Sequence, residues 1–314
     1  MIDLHTHSTA SDGSFSPAAL MREAAAKGLS AIALTDHDTI DGAEEAGNEA
    51  GKLGLRFIAG VEISIDWCPK NAADCAHSCS TSTSTAGDSG KAAGFEAKGA
   101  VPPAKNYEFH LLGLDITAPS PDFLLMMNEL KVMRHIRNVK IIEKMREMGM
   151  DANFDHLQSI SDGTRCIGRP HFAKYLVELN VVKTIQRAFD KFLKQGMPLY
   201  SQKESVSLQR ALKCIKESGA KAILAHPSSL YVSWNRLPSI LEGLKAQGLD
   251  GIEAYHPLLT KNGAQRMEAL GKSLQMRITA GSDFHGSVRN DRKLGHTSSG
   301  LKIDDRFLAA LDDV

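Results

Sequence analysis

The chain has no excess charge, few cysteines and no long apolar run. Its 314 residues hold 37 Lys and Arg against 37 Asp and Glu, a balance that argues against the broad basic surface with which proteins coat long duplex nucleic acid. No apolar stretch is long enough to span a bilayer, and the N-terminus lacks the charged and apolar regions of a secretory signal. We therefore expect a cytoplasmic protein without a membrane partner.

The five cysteines are odd in number and irregularly spaced, so they do not predict a disulfide framework. Cys75 and Cys79, with His77 between them, resemble one ligand pair of a zinc motif. No second ligand pair accompanies them, and the tract around them is rich in Ser, Thr, Ala and Gly. We predict that residues 66–105 form a disordered insertion in a loop.

Apolar runs alternate with helical patterns along much of the chain, which predicts an α/β fold with parallel strands and crossover helices. Hydrophobic residues make up 42% of the chain, enough for a substantial core. The predicted strands lie at residues 2–4, 31–35, 57–61, 109–115, 222–225, 251–254 and 277–281. The predicted helices around them lie at residues 18–27, 42–53, 208–217, 238–246, 264–274 and 306–311.

Residues 121–196 interrupt this alternation with helical patterns alone. Apolar residues recur there at near-helical spacing: Leu124, Leu125, Leu130, Ile136, Val139, Ile142 and Met145. Shorter helices are expected at 170–179 and 184–194. We predict that residues 1–120 and 197–314 form a barrel, and that residues 121–196 form an inserted helical subdomain.

Nearly every predicted strand ends in a residue that can bind a metal. These residues are His5, His7, Asp36, His37, Asp38, Glu62, His110, His226, His256, Asp283 and His285. In a parallel β/α barrel the carboxyl ends of the strands meet at one mouth, so these side chains should converge. Imidazoles and carboxylates without thiolates suit Zn²⁺, Mn²⁺ or Fe²⁺. Their number suits two or three ions, which favours phosphoester hydrolysis, although hydrolysis of an amide or amine stays open.

Several of these segments together resemble the motifs of the PHP (polymerase and histidinol phosphatase) family. The segments are His5-Thr6-His7 with Ser11-Asp12-Gly13, Thr35-Asp36-His37-Asp38, Gly60-Val61-Glu62, Ala225-His226-Pro227 and Ser282-Asp283-Phe284-His285. The resemblance implies a distorted (β/α)7 barrel. The helical insertion and Glu253-Ala254-Tyr255-His256 further resemble enzymes that remove the 3′-phosphate of nucleoside 3′,5′-bisphosphates, relatives of which shorten RNA from its 5′ end.

The resemblance also implies roles for single residues. One metal would take His5, His7, Glu62 and Asp283; a second Glu62, His226 and His110; a third Asp12, His37 and His285. Two or three divalent ions are expected, Mn²⁺ first and Zn²⁺ or Fe²⁺ as alternatives. Glu62, His226 and His256 are the expected catalytic residues, with His256 touching substrate rather than metal.

Arginines of the helical block are the expected phosphate ligands. Arg134, Arg137 and Lys140 recur every three residues and so follow one side of a helix, which by itself describes an ordinary solvated face. The resemblance implies instead that Arg134 and Arg137 clamp a phosphate. It adds Arg169 and His171 as further substrate-binding residues.

Taken together, the sequence predicts a metal-dependent phosphoesterase whose partner is a small phosphorylated nucleotide or a short RNA 5′ end. Histidinol phosphatase, within the same family, is the nearest alternative and would have little need of Arg134. A non-catalytic PHP module that binds metal or a partner is the alternative from another class, and it predicts a missing ligand at one or more strand ends. The oligomeric state is open.

Overall fold

A computed structural model gives the structure of the protein and describes residues 1–67, 107–161, 166–201 and 205–312. Almost all of the predicted insertion at 66–105, with Cys75, His77 and Cys79, lies outside these residues. Within the described ranges, strand structure continues through Trp67, two residues into the segment that we predicted to be disordered.

A seven-stranded sheet in simple sequential order forms the centre of the fold. The strands are β1 (Ile2–Asp3), β2 (Ala31–Leu34), β3 (Arg56–Trp67), β4 (Tyr107–Leu114), β5 (Lys221–Leu224), β6 (Gly251–Tyr255) and β7 (Arg277–Ala280). All neighbours are parallel except β4, which runs antiparallel to both β3 and β5. This arrangement agrees with a distorted (β/α)7 barrel.

The two edges of the sheet meet just beyond β1 and β7. The backbone N–H of Leu4 donates to the carbonyl of Ala280 at 3.3 Å, and that of His7 donates to the carbonyl of Phe284 at 2.9 Å. An isolated parallel bridge joins Thr6 to Phe284. This closure brings the first histidines of the chain beside the last predicted ligands, almost the whole chain length away.

The helices lie where the sequence pattern predicts them, because their ends carry recognisable caps. Ser16 and Ser120 cap α1 and α3 through their hydroxyls, and Gly54 ends α2 in the left-handed region at φ 64°. The α-helices are α1 (Pro17–Ala26), α2 (Ala43–Leu53), α3 (Pro121–Glu147), α4 (Phe154–Ser159), α5 (Arg169–Glu178), α6 (Ile185–Ala188), α7 (Leu208–Glu217), α8 (Leu237–Ala246) and α9 (Lys261–Ser273). The terminal helix, Asp305–Ala310, is of the 3₁₀ type.

Two strands depart from the prediction in a way that affects the site. Glu62 does not end a strand, because the alternation of apolar residues continues and β3 runs on past it to pair with β4. His110 lies near the start of its strand rather than at the end. It reaches the same edge of the sheet as the other ligands because β4 is antiparallel.

The helix α3 packs on two hydrophobic clusters in succession. Its first half buries Phe123, Met126 and Leu130 against the barrel core. Its second half buries Ile141 and Met145 in a separate cluster shared with the segment that ends at Leu199. Part of the helix face that the sequence pattern predicts to be buried is exposed. Four of its apolar residues are exposed to solvent: Leu124, Leu125, Ile136 and Val139.

All of the second cluster except Leu199 lies inside the block predicted as a subdomain, but the first half of α3 belongs to the barrel core. The division at residues 121 and 196 therefore stays a prediction. None of the described helices is both long enough and apolar enough to cross a membrane. The cytoplasmic location also stays a prediction.

Glu268 on α9 should make stability depend on pH. Burial disfavours its ionised form, but hydrogen bonds from Arg306, Lys272 and Tyr255 lower its pKa to about 2. A carboxyl whose pKa falls on folding stabilises the protein above its unfolded pKa, and this stabilisation is lost as the pH falls toward the folded pKa. The stability difference between wild type and Glu268→Gln should be about 2 kcal/mol larger at about pH 7 than at about pH 3.

Urea unfolding of both proteins at the two pH values measures this difference. Glu44→Gln, at an exposed position on α2, is the matched control. A difference between wild type and Glu268→Gln that does not change with pH would show that Glu268 is not coupled to folding in this way.

Candidate metal centre

The carboxylate of Glu62 lies at the centre of the predicted ligands. Its Oε2 is 3.3 Å from His5 Nε2, 3.2 Å from His7 Nε2 and 3.1 Å from His37 Nδ1. Both Glu62 and the two N-terminal histidines are fully buried. The spacing of His5 and His7 on one face of an extended segment therefore delivers both rings to the same oxygen.

The other oxygen of Glu62 serves a second pair of rings. Oε1 is 2.7 Å from His110 Nδ1 and 3.0 Å from His226 Nε2. His226 lies in an unusual backbone conformation at φ 28°, directly after β5. Such strained conformations are found preferentially at functional sites, and here the bend lies at the residue that reaches Glu62. Glu62, His226 and His110, predicted to share a metal, thus meet at one carboxylate oxygen, but the group whose ligand atoms all lie within 4.8 Å of one another contains His37 in place of His226.

Asp283 joins the first group of ligands from the far end of the chain. Its Oδ1 is 3.7 Å from His5 Nε2 and 3.5 Å from His7 Nε2. Its Oδ2 is 3.4 Å from His256 Nε2. His5, His7, Glu62 and Asp283 have ligand atoms within 4.8 Å of one another, which is the geometry of a metal site and the set predicted from the sequence.

Asp12 lies at the centre of the third group of predicted ligands. Its Oδ1 is 3.3 Å from His285 Nε2, and its Oδ2 is 3.9 Å from His37 Nε2. His7 belongs to this group as well, with Nδ1 at 3.9 Å from Asp12 Oδ1. The two nitrogens of His7 therefore face different carboxylates, so this ring lies between the first and third groups.

The residues present fit divalent metal ions. Several polar atoms of the described centre are buried and make no hydrogen bond: His5 Nε2, His7 Nε2, His37 Nδ1, Glu62 Oε2 and His256 Nε2. Burial of such atoms without a partner costs free energy, and all but one of them belong to the groups whose ligand atoms lie within 4.8 Å. Nitrogen and carboxylate oxygen donors in this mixture suit Mn²⁺, Zn²⁺ or Fe²⁺.

The electrostatics of the centre keep the carboxylates ionised. Burial disfavours the ionised form of Glu62, but His37, His110 and His5 together hold its pKa well below the ordinary range. Burial likewise opposes the charge on His7, and Asp283 and Glu62 raise its pKa to about 10. Since a metal ligand must be a deprotonated carboxylate or a neutral imidazole, metal ions and protons compete for these rings.

Glu253 is a residue of the centre to which the sequence analysis gave no role. Its Oε1 is 3.0 Å from His5 Nδ1, and its Oε2 accepts the backbone N–H of His226 at 2.8 Å. A carboxylate that holds Nδ1 fixes the ring orientation and leaves Nε2 facing Glu62. The signal for this role was present in the sequence, because a charged residue inside the apolar run of β6 needs a buried partner.

Two other aspartates hold the loops of the centre in place. Asp36 accepts the backbone N–H of Ser8 at 2.7 Å and the hydroxyls of Ser8 and Ser11 at 2.6 and 2.5 Å. Asp3 accepts the N–H and hydroxyl of Ser282 at 2.9 and 2.5 Å and the N–H of Gly295 at 2.7 Å. Asp36 thus fixes the loop that leads to Asp12, and Asp3 fixes the segment that leads to Asp283.

His256 lies behind the ligands rather than in front of them. Its side chain is fully buried, and its Nδ1 accepts the backbone N–H of Leu258 at 3.1 Å. Its Nε2 therefore carries the proton in the neutral ring and faces Asp283. The predicted contact of His256 with substrate does not fit this position, which instead suits it to orient Asp283.

The predicted phosphate arginines lie beside the centre. A cavity of about 90 Å³ is lined both by the predicted ligands Asp12, His37 and His110 and by Arg134, Arg137 and Arg169. Arg134 pairs with Asp38, and Arg137 bonds to Asn138 Oδ1 and to the carbonyl of Ile167. Both are buried, whereas Lys140, predicted to share their face, is exposed. Burial, and then the neighbouring Arg134 and Arg169, lower the pKa of Arg137 to about 9.

His171 has a structural contact at the start of α5. Its Nδ1 accepts the backbone N–H of Gly168 at 2.9 Å, which closes the first turn of the helix. The ring lines a neighbouring cavity that includes Asp12 but not Arg134 or Arg137. Its role as a substrate ligand stays a prediction.

The fold and the ligand set together correspond to one known protein family. A family model for the PHP domain matches residues 3–198 of the 314. The chain belongs to the PHP family. This PHP domain contains the clustered histidines and carboxylates needed to bind metal.

Known relatives cover nearly the whole chain. A 5′-3′ exoribonuclease of Haemophilus influenzae is 30% identical over 308 residues, 97% of this chain and 98% of the relative. A 3′,5′-nucleoside bisphosphate phosphatase of Chromobacterium violaceum is 27% identical over 296 residues, 94% and 91% of the two chains. A solved amidohydrolase from Chromobacterium violaceum with bound sulfate and no metal has a TM-score of 0.77 at 25% identity, covering 99% and 96%. This PHP domain is accordingly a metal-dependent phosphoesterase.

Removal of the shared carboxylate should weaken metal binding more than removal of any ordinary surface carboxylate. We expect Glu62→Gln to lower the affinity for Mn²⁺ by about 10-fold or more. Substitution of a residue that only hydrogen-bonds to a metal ligand already lowers metal affinity by about that factor. Titration calorimetry of the metal-free protein gives the affinity and the number of ions bound. Glu129→Gln, whose carboxylate pairs with Arg210 at the surface, is the control. Wild-type Mn²⁺ binding by Glu62→Gln would contradict the central position of Glu62.

Proposed function

We propose that this PHP domain removes the 3′-phosphate of nucleoside 3′,5′-bisphosphates and releases 5′-terminal nucleotides from short 5′-phosphorylated RNA. The observation that carries the proposal is the cavity that metal ligands and arginines share. His37 and His110 line it together with Arg134, Arg137 and Arg169. A substrate with one phosphate at the metal centre and a second on the arginines matches this pairing, and the activities of the two relatives agree with it.

Both reactions break the same bond. An oxygen of water forms a bond to the phosphorus on the 3′ side of a nucleoside, the bond from phosphorus to O3′ breaks, and O3′ takes a proton. A 3′,5′-bisphosphate yields inorganic phosphate, and RNA yields a nucleoside 5′-phosphate with a shortened, 5′-phosphorylated chain. In both substrates the 5′-phosphate lies on the far side of the first nucleoside from the bond that breaks.

Divalent metals in the centre would supply an activated water and would neutralise charge on the phosphoryl oxygens. Glu62, ionised and shared among five imidazoles, holds the ligands in one cluster. Arg134, Arg137 and Arg169 would bind the 5′-phosphate through charge-assisted hydrogen bonds. His226 lines the larger of the cavities over the centre, and its Nδ1 is 2.9 Å from the hydroxyl of Ser229. It is the better candidate to give a proton to O3′, because His256 is fully buried.

The proposal is tested by assaying the purified protein with Mn²⁺ on three substrates. These are adenosine 3′,5′-bisphosphate, a 5′-phosphorylated RNA trinucleotide and histidinol phosphate. We expect phosphate from the first and a nucleoside 5′-phosphate from the second. Release from neither, or a clear preference for histidinol phosphate, would overturn the proposal, and the preference would favour the histidinol phosphatase alternative.

Substitution of an arginine in the smaller cavity should weaken the binding of the substrate's 5′-phosphate. We expect Arg137→Ala to lower kcat/KM for adenosine 3′,5′-bisphosphate by about 30-fold, because a hydrogen bond to a charged group is lost. The loss on adenosine 3′-phosphate, which lacks the 5′-phosphate, should be several times smaller. Arg137→Lys should recover part of the activity.

Steady-state kinetics on both substrates, with Mn²⁺ content checked, measure this difference. Arg210→Ala, which removes an arginine from the surface pair with Glu129, is the control. Equal losses on the two substrates would show that Arg137 does not recognise the 5′-phosphate.

A further inference from the structure

A second and larger cavity includes the metal centre and reaches the loops after β5, β6 and β7. Its volume is about 370 Å³. It shares Asp12, His37, His110, Arg169 and Pro170 with the smaller cavity, but neither Arg134 nor Arg137 lines it. Beyond the centre it is lined by residues of the loops after β5, β6 and β7: Ser229, Tyr231, Leu258, Val288, Arg289 and Arg292.

Two arginines of this second cavity approach the carboxylate of Asp283, and one of them is buried with unsatisfied donors. The side chain of Arg292 is only 3% exposed, yet its Nε and Nη2 make no hydrogen bond. Its Nε is 3.8 Å from Asp283 Oδ2, and its Nη1 is 3.4 Å from the exposed Asp291. Arg289 Nη1 approaches the same Asp283 oxygen at 3.5 Å. A buried guanidinium with unsatisfied donors is costly unless an anion completes it.

The same cavity is also lined by an aromatic and an apolar side chain that are exposed to solvent. Tyr231 is 87% exposed and Leu258 is 52% exposed. Tyr231 also adopts a left-handed backbone conformation at φ 49°, which is uncommon for a residue with a large side chain. Proteins bind single-stranded nucleic acid with exposed aromatic rings and nearby cationic groups. The bases stack on the rings, and the cationic groups attract the backbone phosphates.

We propose that this second cavity binds the nucleotide that follows the scissile phosphate. Tyr231 stacks on its base, Leu258 contacts the ring or the sugar, and Arg289 and Arg292 bind the phosphate on its 3′ side. The proposal rests on the function proposed above. It follows from the linings of the two cavities: if the 5′-phosphate lies on the arginines of α3 and the scissile phosphate at the metals, the second cavity offers the chain beyond a path toward the loops after β5, β6 and β7.

A nucleoside 3′,5′-bisphosphate ends at the scissile phosphate and has nothing to place in the part of this cavity beyond the metal centre. RNA has a further nucleotide there. The cavity therefore distinguishes the two substrates, and its residues determine how well the enzyme processes RNA relative to bisphosphates. In the reaction on RNA, the second nucleotide departs with the phosphate that was attacked, as the new 5′-phosphorylated end.

The test compares the wild type with Tyr231→Ala and Arg289→Ala, both at exposed positions where unfolding is not expected. The ratio of kcat/KM for a 5′-phosphorylated trinucleotide to that for adenosine 3′,5′-bisphosphate should fall about 10-fold in each variant. Tyr231→Phe, which keeps the ring, should restore the ratio. Arg22→Ala, which removes an arginine of α1 paired with Glu49, is the control.

Binding is measured separately from turnover. The ligand is a 5′-phosphorylated trinucleotide in which a methylene group replaces the first O3′, so that it cannot be cleaved. Titration calorimetry with the Mn²⁺-loaded protein should show a dissociation constant about 10-fold higher for Tyr231→Ala and Arg289→Ala than for wild type. The Mn²⁺ content of the variants should equal that of wild type.

The outcomes separate this inference from the proposed function. If the wild type cleaves neither substrate, the proposed function fails first. If the wild type cleaves both and the variants leave the ratio and the trinucleotide affinity unchanged, the inference is overturned. If Arg289→Ala lowers both activities equally and loses Mn²⁺, the arginine serves only to hold Asp283, and the inference is again overturned.

Discussion

The carboxylate of Glu62 is the group on which the rest of the site depends. One oxygen faces His5, His7 and His37, and the other faces His110 and His226. A buried charge of this kind is tolerated only when it is surrounded by partners. The five rings are such partners, and metals between them would complete the arrangement. Without Glu62 the five rings would have no carboxylate in common.

The rings around Glu62 come from different strands, and the distorted fold brings them together. Closure between Thr6 and Phe284 joins the first and last strands, and so places His5 and His7 beside Asp283. The reversal of β4 brings His110 to the same edge from the start of its strand. Asp3 and Asp36, each accepting several hydrogen bonds, then fix the loops that deliver the remaining ligands.

Much of this could be predicted from the sequence, and the failures have physical causes. Caps and turn residues marked the helices well, and α7 has the predicted bounds, Leu208–Glu217. Convergence of strand ends in a barrel predicted that these side chains meet, and the resemblance to the PHP family supplied the first ligand group, whose four residues lie close together in the structure. The reversal of β4 could not be predicted, since an apolar alternation does not reveal the direction of pairing. Burial of His256 behind Asp283, and the exposure of Lys140, depend on packing that local patterns do not contain.

The central claim is that Glu62 would serve as a ligand common to neighbouring metal ions. Electron paramagnetic resonance of the protein loaded with Mn²⁺ tests it most directly, because ions that share a bridging ligand are magnetically coupled. The account predicts a coupled spectrum in wild type that is lost in Glu62→Gln. The hyperfine pattern of isolated Mn²⁺ ions in the fully loaded wild type would contradict it.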